Sequence, residues 1–371
     1  MKIIEITGEP ILHGGQERFI ANLIGQIGGE AYRIDVLTPY ICENPAFCKL
    51  VEDKGGKVTA LQMDFQPGKS RRMLFQPTLS FLRGKGYDAA HIHSGSISAL
   101  AYLAKAAKQA GIRKIIVHSH STGYPSLKHQ AIRFVFGQQM KGCVTNYLAC
   151  SEEAGKTKYL PSVVRDKLVV IRNGIDTAAF AQDKDKRKEI RKALSIPESS
   201  VVIGHVGRFS AEKNHGFLIE LFDKVHQEKP DSFLLLVGDG ELADIVRAQV
   251  REKELEGSVI FTGNVENVQD YYQAMDVFIL PSIYEGFSYV ALEAQAAGLP
   301  CLLSDGVPEI VSIGKNVCRL PLENQDEWVR QCMGMAGEKP VDNLARIREA
   351  GFDIGSTAAQ IREIYDREQV R

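Results

Sequence analysis

Short apolar runs alternate with longer segments of helical periodicity along most of the chain. In the first half, six runs rich in β-branched residues are predicted to be strands, at Ile3–Thr7, Ile34–Thr38, Ala89–His93, Lys114–His118, Asn146–Cys150 and Leu168–Ile171. Between them, stretches such as Arg18–Ile27 and Ser98–Ala110 carry apolar residues at helical spacing. Strands and helices in alternation predict βαβ crossovers and a mostly parallel sheet.

The same alternation begins again after a polar segment. Asn173-Gly174-Ile175-Asp176 is a turn-type cluster, and a lysine-rich run follows from Asp183. The second series of predicted strands comprises Val201–Val206, Phe233–Val237, Val259–Thr262, Val277–Leu280 and Cys301–Leu303. We therefore predict an α/β protein with two tandem doubly wound domains, residues 1–180 and 181–354. Residues 355–371 are predicted to contain a helix that packs back on the first domain, because the segment 357–367 has helical periodicity.

Length and composition agree with two globular domains. The 371 residues exceed what one hydrophobic core usually organises, and 44% apolar with 25% charged residues is ordinary for folded proteins. The seven cysteines are scattered without a C-x-x-C pair, which supports neither a zinc cage nor a disulfide framework and is typical of a cytosolic protein. No apolar run approaches the roughly 20 residues of a membrane span, and Glu5 interrupts the first one, so we expect no signal peptide.

Charge is divided unevenly along the chain. The net charge of −1 hides 23 basic against 14 acidic residues in positions 1–176, and 22 against 32 in the remainder. Positions 65–150 hold twelve basic residues and a single acid, Asp88. This bias predicts that the first domain faces something anionic, and we expect a membrane surface. The alternative is that these charges only keep the domain soluble. The expected contact residues are Lys69, Arg71, Arg72, Arg83 and Lys85, with the apolar residues of Met73–Leu82.

Candidate binding residues of the second domain follow the ends of two strands, where ligands bind in sheets of this kind. Behind Gly207, the cations Arg208 and Lys213 are suited to a diphosphate. Further along, Glu285 lies in a loop and Glu293 in the following helix, whose N-terminus offers free N–H groups. The alternatives are a solvated loop for the two cations, a complement to the helix dipole for Glu285 and a solvent-facing position for Glu293.

Two weaker signals lie in the first domain. Gly14 and Gly15 follow the first strand and allow the backbone to approach a ligand closely, but they do not form a G-x-G-x-x-G dinucleotide motif. The strand Lys114–His118 leads into His118-Ser119-His120, which makes these histidines candidates for a functional role. The only Asp-x-Asp lies in the lysine-rich run and indicates a helix start, so we predict no metal site there.

The segment Gly263–Asp305 strongly resembles the nucleotide-sugar site of the retaining glycosyltransferases of family 4. The family's Glu-x7-Glu signature is matched by Glu285 and Glu293. Further landmarks occur in the family's order, at His13–Glu17, Asn173–Asp176, Gly207-Arg208 with Lys213-Asn214, and Gly238–Glu241. The resemblance covers essentially the whole chain and implies a GT-B architecture, with two Rossmann-like domains and a cleft between them. Val117–Thr122 and Ala149–Lys156 are most similar to the bacterial capsule and exopolysaccharide branch.

The resemblance implies a role for each matched position. Arg208 and Lys213 would hold the diphosphate, Glu293 the ribose, and Glu285 the donor sugar together with backbone amides after Gly286. The implied catalytic residues are His118, Glu285, Arg208 and Lys213. The implied donor-binding residues are Gly14, Gly15, Arg208, Lys213, Gly238, Asn264, Val265, Glu285, Gly286, Phe287, Ser288 and Glu293, and Asn173 is a further candidate. For the histidine beside the transferred sugar, His118 is expected and His120 stays an alternative.

The expected function is retaining transfer of a hexose or N-acetylhexosamine from a UDP-sugar to a hydroxyl group of a lipid-linked or oligosaccharide acceptor. The setting implied by the resemblance is bacterial exopolysaccharide, capsule or cell-surface glycan synthesis, in the cytoplasm at the inner face of the plasma membrane. We expect no metal, no cofactor beyond the nucleotide sugar and no nucleic acid partner. The alternatives are an inactive scaffold that binds nucleotide sugar, and a UDP-sugar epimerase of the same fold. A nicotinamide dehydrogenase is disfavoured because the glycine fingerprint is missing.

Overall fold

The computed structural model describes residues 1–12, 14–66, 71–121 and 127–367. Three residues of the predicted motifs and of the basic face, His13, Lys69 and Thr122, therefore lie outside the described residues. The chain forms two compact units, residues 1–174 with 351–371, and residues 175–350. The division falls before residue 180 because the intervening side chains pack in the second unit: Arg348 Nε donates to Thr177 Oγ1 at 3.2 Å, and the Phe180 ring lies 5.7 Å from that of Tyr272.

The first unit is built on a seven-stranded parallel sheet with the strand order β3-β2-β1-β4-β5-β6-β7. Its strands are β1 (Lys2–Thr7), β2 (Arg33–Thr38), β3 (Val58–Ala60), β4 (Ala89–His93), β5 (Lys114–Ser119), β6 (Asn146–Ala149) and β7 (Leu168–Val170). Both faces of this sheet are buried, and its strands are therefore near-continuous apolar runs, as is usual for parallel sheets.

Helices cover both faces of this sheet. In chain order they are α1 (Gly15–Ile27), α2 (Pro45–Asp53), α3 (Phe75–Leu82), α4 (Ile97–Gln109), α5 (Leu127–Lys141), α6 (Glu152–Lys158) and α7 (Pro161–Asp166). Helix α4 packs against both α3 and α5, so these three form one layer. None of the three contains an aspartate or glutamate.

The structure contradicts part of the predicted basic face. The Arg71 side chain is buried, and its guanidinium donates to Tyr40 Oη at 3.0 Å. The apolar side chains of Leu74, Leu79 and Leu82 belong to the core that α3 and α4 share, rather than to the surface. The apolar face of an amphipathic helix packs against the core of its unit, and few apolar side chains then remain on the surface.

A last helix, which we number α15 (Ile354–Asp366), returns to the first unit after the second is complete, and it packs against α1. Lys114 Nζ donates to the carbonyl groups of Ile364, Tyr365 and Arg367, with the contact to Arg367 at 2.8 Å. A cation at these carbonyls satisfies the free end of the helix and its negative dipole. The predicted return of the C-terminal helix to the first unit is thus present in the structure.

The second unit has a six-stranded parallel sheet with the order β10-β9-β8-β11-β12-β13. The strands are β8 (Val201–Val206), β9 (Ser232–Val237), β10 (Val259–Gly263), β11 (Val277–Leu280), β12 (Cys301–Ser304) and β13 (Val317–Leu320). The helices are α8 (Lys184–Ala193), α9 (His215–Glu228), α10 (Ala243–Glu252), α11 (Val268–Ala274), α12 (Tyr289–Ala296), α13 (Gln325–Met335) and α14 (Leu344–Glu349). Two doubly wound parallel sheets, as predicted, are confirmed.

Helix α8 is fixed to the second unit by a buried arginine. Its start is capped by Asp183, whose Oδ1 accepts from the backbone N–H groups of residues 185 and 186 at 2.9 Å. Arg191 is fully buried and donates to Asp276 Oδ2 at 2.7 Å and to the Ala274 carbonyl at 3.0 Å. Because a buried charge is tolerated only when it is paired and hydrogen-bonded, this network holds α8 against the end of α11 and the residues just before β11. Within the described residues, every helix is too short or too polar to cross a membrane.

Candidate functional site

The turn after β8 carries the first predicted cation site of the second unit. Residues 211–213 form a single 3₁₀ turn, and Asn214 follows in the left-handed conformation with φ of 57°. Asparagine tolerates this conformation better than most residues, and it allows α9 to start immediately afterwards. Lys213 therefore stands between the end of β8 and the N-terminus of α9, with 15% of its side chain exposed.

The loop after β11 lies directly against this turn. The backbone N–H of Ile283 donates to the Glu212 carbonyl at 2.7 Å, which joins the two loops. Lys213 Nζ and Glu285 Oε1 form an ion pair, and Ser282 Oγ donates to the same carboxylate oxygen at 2.9 Å. Two residues 72 positions apart in sequence are thus brought into contact at one sheet edge.

Arg208 points to a different carboxylate. Its Nε donates to Glu241 Oε2 at 3.0 Å, and the Arg208 side chain is 67% exposed. An exposed pair of this kind contributes little to stability, so a ligand can displace it at small cost. In this state the two predicted diphosphate cations each have their own carboxylate partner.

Glu293 lies on α12, after the loop that carries Glu285. Ser288 caps this helix, with its Oγ accepting from the backbone N–H of Ala291 at 3.4 Å. Glu293 is fully buried, and Tyr272 Oη donates to its Oε2 at 3.0 Å. The alternative of a solvent-facing Glu293 is therefore excluded, since its carboxylate is buried and hydrogen-bonded to Tyr272.

The remaining donor-binding candidates line the same edge of the sheet. Gly238 has a φ of 131°, and a Cβ atom there would lie 2.1 Å from the Gly207 carbonyl oxygen, so only glycine fits. Asn264 and Gly286 are exposed, whereas Val265 and Phe287 are half-buried. The candidates of the second unit thus follow β8, β9, β10 and β11, four neighbouring strands of its sheet.

A buried aromatic cluster lies behind the Lys213 turn. The His215 ring stacks on Phe209, with centroids 4.1 Å apart, and contacts His205 edge-on at 4.8 Å. Neither nitrogen of His215 has a hydrogen-bond partner among the described residues. Burial, and to a smaller extent the charge of Lys213, lowers the pKa of His215 to about 4. His215 is therefore a neutral ring at physiological pH.

The candidates of the first unit lie around the start of α1. Gly14 and Gly15 begin this helix, and a Cβ atom on Gly14 would lie 2.6 Å from Glu17 Oε2. Asn173, at the opposite end of the unit's sequence, is buried with 3% exposure. Its Oδ1 has no hydrogen-bond partner within the described ranges.

His118 and His120 belong to a cluster of four histidines at the carboxyl ends of β4 and β5. His118 is fully buried, whereas His120 is half-buried. Burial and the neighbouring histidines hold the pKa values of both rings well below the ordinary range. The other two members, His91 and His93, are two positions apart on β4 and therefore lie on the same face of the sheet. One nitrogen from each of His91, His93 and His118 lies within 4.8 Å of the others. Three imidazoles at this spacing have the donor chemistry of a transition-metal site.

Sequence reasoning missed several of these groups. Ser282, Tyr272 and Glu241 bond the predicted residues, but they are ordinary polar residues whose partners only the fold reveals. The His-x-His pair at the end of β4 is visible in the sequence as two side chains on one face of a strand at its carboxyl end. That signal predicts a place beside His118, because β4 and β5 are neighbours and His93 pairs with His118 in register.

Two family models match the chain, one in each unit. The model described as "Glycosyltransferase Family 4" matches residues 13–179, and the model described as "Glycosyl transferases group 1" matches residues 186–333. Together they include the candidate residues of both units.

Individual relatives and solved structures agree with the two models. The chain is 29% identical to the Bacillus subtilis protein EpsF, named as a glycosyltransferase, over 95% of this chain and 93% of the relative. It is 27% identical to an Escherichia coli UDP-Gal:alpha-D-GlcNAc-diphosphoundecaprenol alpha-1,3-galactosyltransferase over 76% of each chain. Among solved structures, Anabaena HepE in complex with UDP has a TM-score of 0.75 at 20% identity, covering 98% of this chain and 99% of HepE. HepE in complex with UDP-glucose gives a TM-score of 0.73 at 21% identity, covering 98% of each chain.

Proposed function

We propose that this chain, which belongs to the family 4 glycosyltransferases and has their GT-B fold, moves a hexose or N-acetylhexosamine from a UDP-sugar to an acceptor hydroxyl group. The observation that carries the proposal is the Lys213–Glu285 ion pair, with the buried Glu293 on the adjoining helix. These groups offer a cation for a diphosphate and two carboxylates for hydroxyl groups, the chemistry that a sugar nucleotide requires.

The roles follow from the polarity of each group. Lys213 and Arg208 neutralise the diphosphate as the bond to the sugar breaks, and the N-terminus of α12 adds its dipole. Glu293 accepts hydrogen bonds from the ribose diol, held in orientation by Tyr272. Glu285, once the diphosphate has taken Lys213, accepts from hydroxyl groups of the donor sugar. Two protein cations and a helix end supply the positive charge that a metal provides in other transferases, so the proposed reaction needs no metal.

The reaction is proposed to retain the anomeric configuration. The sugar's bond to the diphosphate breaks and a bond to the acceptor oxygen forms on the same face, with the acceptor proton passing to the leaving phosphate. The donor is proposed to be UDP-linked, which is supported by the UDP in HepE and by the UDP-Gal in the name of the E. coli relative. The acceptor is proposed to be a lipid-linked or oligosaccharide hydroxyl group, since that relative acts on a sugar diphosphoundecaprenol.

A lipid-linked acceptor lies at a membrane, and the α3–α4–α5 layer of the first unit is the proposed contact. The layer contains no acid, and Phe134 and Val135 on α5 are 61% and 62% exposed. Exposed cations around it include Arg72, Arg83 and Lys85. Cations near anionic lipid each contribute about 1 kcal/mol, and exposed apolar side chains add to this by entering the interface. We place the protein in the cytoplasm, at the inner membrane face.

A binding and product assay tests the function. Nucleotide sugars are screened for their effect on the melting temperature, and any that bind are incubated with acceptor and the product's anomeric configuration is measured by NMR. Lys213→Ala is expected to abolish the stabilisation by a UDP-sugar, each variant being compared with its own unliganded form.

Lys224→Ala is the matched control, because Lys224 forms a surface pair with Asp326 in the same unit. It should keep the stabilisation that Lys213→Ala loses. Absence of stabilisation by every nucleotide sugar, or equal stabilisation of the two variants, would contradict the proposed site.

A further inference from the structure

Two cysteines that the proposed function does not use are in contact in the first unit. Cys42 follows β2, Cys48 lies on α2, and their Sγ atoms are 3.3 Å apart. The turn between them is made by Asn44, whose Oδ1 accepts from the backbone N–H of Phe47 at 3.0 Å and caps α2. Both cysteines are half-buried, so small molecules in solution reach the pair.

The two sulfur atoms differ in their chemistry. Burial, followed by a hydrogen bond to Cys42, raises the pKa of Cys48 to about 11. Cys48 is therefore a thiol at neutral pH, and its S–H is directed at the Cys42 sulfur. Because a thiolate is the nucleophile in disulfide exchange, Cys42 is the sulfur expected to react first, with Cys48 as the second sulfur beside it.

The Cys42 segment is hydrogen-bonded to the loop that follows β1. Cys42 and Ile11 form a single parallel bridge. The N–H of Ile11 donates to the Ile41 carbonyl at 3.0 Å, and the N–H of Glu43 donates to the Ile11 carbonyl at 2.9 Å. The position of this segment therefore sets the position of the loop whose next residues include Gly14, a candidate for donor binding.

Helix α2 is the more firmly held of the two sides. Phe47, the residue before Cys48, is buried in the core that α1 shares with the sheet. Asn44 Nδ2 also donates to the Leu12 carbonyl at 2.6 Å, so the start of α2 contacts the same loop. A covalent bond between Cys42 and Cys48 would join the Cys42 segment, and with it this loop, to the anchored helix.

We propose that Cys42 and Cys48 are a redox modification site, at which a low-molecular-weight disulfide such as oxidised glutathione produces an intramolecular disulfide that restrains the loop after β1. The Cys42 thiolate attacks one sulfur of the small disulfide, forming a mixed disulfide and releasing one small thiolate. Cys48 then loses its proton to solvent and attacks the Cys42 sulfur, and the second small thiolate leaves. The protein gives up two hydrogen atoms, and the small disulfide is reduced to two thiols.

The competing interpretation is that the two sulfur atoms only pack, since cysteine also behaves as a small apolar residue. The two interpretations differ in the effect of closing the bond. If the fold holds Cys42 and Cys48 ready for a disulfide, the oxidised chain should have a higher melting temperature than the reduced chain. If the sulfurs only pack, a disulfide distorts the segment, and a lower melting temperature after oxidation would overturn the proposal.

Mass spectrometry of the full chain tests the modification itself. The chain is equilibrated with oxidised glutathione near pH 7.5, quenched in acid and alkylated with N-ethylmaleimide. Trypsin then releases both cysteines in one peptide, residues 34–49. This peptide should be unalkylated and two hydrogen atoms lighter than its reduced form, and dithiothreitol should reverse the change. Two alkylated sulfurs after excess oxidised glutathione, or a mixed disulfide that does not close, would contradict the proposed site.

Single variants test the order of attack. Cys48→Ser should accumulate the mixed disulfide at Cys42. Cys42→Ser should react at Cys48 about tenfold more slowly or less, because burial keeps that sulfur protonated. Cys318→Ala removes a half-buried cysteine of the second unit and is the matched control, which should form the 42–48 disulfide at the wild-type rate. Equal rates in the two serine variants would reject Cys42 as the attacking sulfur.

Hydrogen–deuterium exchange measures the restraint on the loop. In the oxidised chain, the amide groups of Ile11 and Glu43 should exchange on the order of tenfold more slowly than in the reduced chain. The double variant Cys42→Ser/Cys48→Ser should show no dependence on the oxidant. Unchanged exchange in an oxidised wild type would overturn the proposed restraint. These measurements need neither donor nor acceptor, so their failure is distinct from a failure of the proposed function.

Discussion

His215 should make the stability of the second unit depend on pH. Its pKa is about 4 in the folded protein against an ordinary value of 6.5, because the ring is 2% exposed between Phe209 and His205. Below pH 6.5 the unfolded chain binds a proton that the folded chain excludes, so the free energy of unfolding falls as the pH falls. The loss continues until the pH reaches about 4.

The magnitude follows from the difference between the two pKa values. A difference of about 2.5 corresponds to about 3 kcal/mol over the whole window, at 1.36 kcal/mol for each unit of pKa. Between pH 7.5 and pH 5, the contribution of His215 alone is about 2 kcal/mol. His215→Phe removes the titrating group and leaves an aromatic ring to stack on Phe209. The variant should therefore lose about 2 kcal/mol less than the wild type over this interval.

Trp328 provides a probe confined to the right unit. It is the only tryptophan in the sequence, it is fully buried in the second unit, and its ring contacts Phe217 of α9 at 5.3 Å. Urea unfolding followed by tryptophan fluorescence at several pH values therefore reports this unit. Because the buried His205 titrates in both proteins, the difference between them isolates His215. His226→Phe, a histidine-to-phenylalanine change on the same helix, is the matched control variant. Parallel stability profiles for His215→Phe and the wild type would refute the reasoning.

Three further outcomes are expected. Arg191→Met should lower the free energy of unfolding of the second unit by about 3–5 kcal/mol, since it removes the buried partner of the Asp276 carboxylate and the donor of several carbonyl groups. Arg187→Met, at the more exposed side of the same network, should cost less, and equal losses by tryptophan fluorescence would contradict the role of burial. In calorimetry, Glu293→Gln should weaken binding of both UDP and UDP-sugar, whereas Glu285→Gln should weaken only the UDP-sugar; one common pattern would reject the separate roles. Vesicle sedimentation should show binding to anionic lipid at low salt that is lost at high salt and absent with neutral lipid. Equal binding to anionic and neutral lipid would contradict membrane contact through the cations of the α3–α4–α5 layer.

Most of the fold is predictable because each strand of a parallel sheet is buried on both faces. Each strand is therefore a separate apolar run in the sequence. The strands that sequence reasoning missed, β3 and β13, have three and four residues and lie at sheet edges, where half-buried side chains blur the pattern. The predicted start of a helix in the lysine-rich run is confirmed by the Asp183 cap. The burial of Arg191 within that run was not predictable, because it depends on a carboxylate 85 positions further along.

The candidate site was likewise predictable from the sequence only in part. Lys213 and Glu285 could be placed together because the carboxyl ends of parallel strands share one edge. The hydrogen bonds that join His120 to His93 and His93 to Glu5 could not be foreseen, because they depend on the register of three strands. The surface position expected for Leu74, Leu79 and Leu82 is wrong, since periodicity identifies an apolar stripe without saying which neighbour covers it.

The closing contact between Lys114 and the end of α15 has a consequence for how the protein is made. During synthesis β1 precedes the whole second unit, whereas the tyrosine that donates to Glu5 and the carbonyls that accept from Lys114 follow it. Residues 175–350 are contiguous and can fold before residues 351–371 have been added. The unit that is started first is therefore completed last. A nascent chain released before residue 354 would carry a finished second unit and a first unit in which the buried Glu5 lacks the Tyr365 donor.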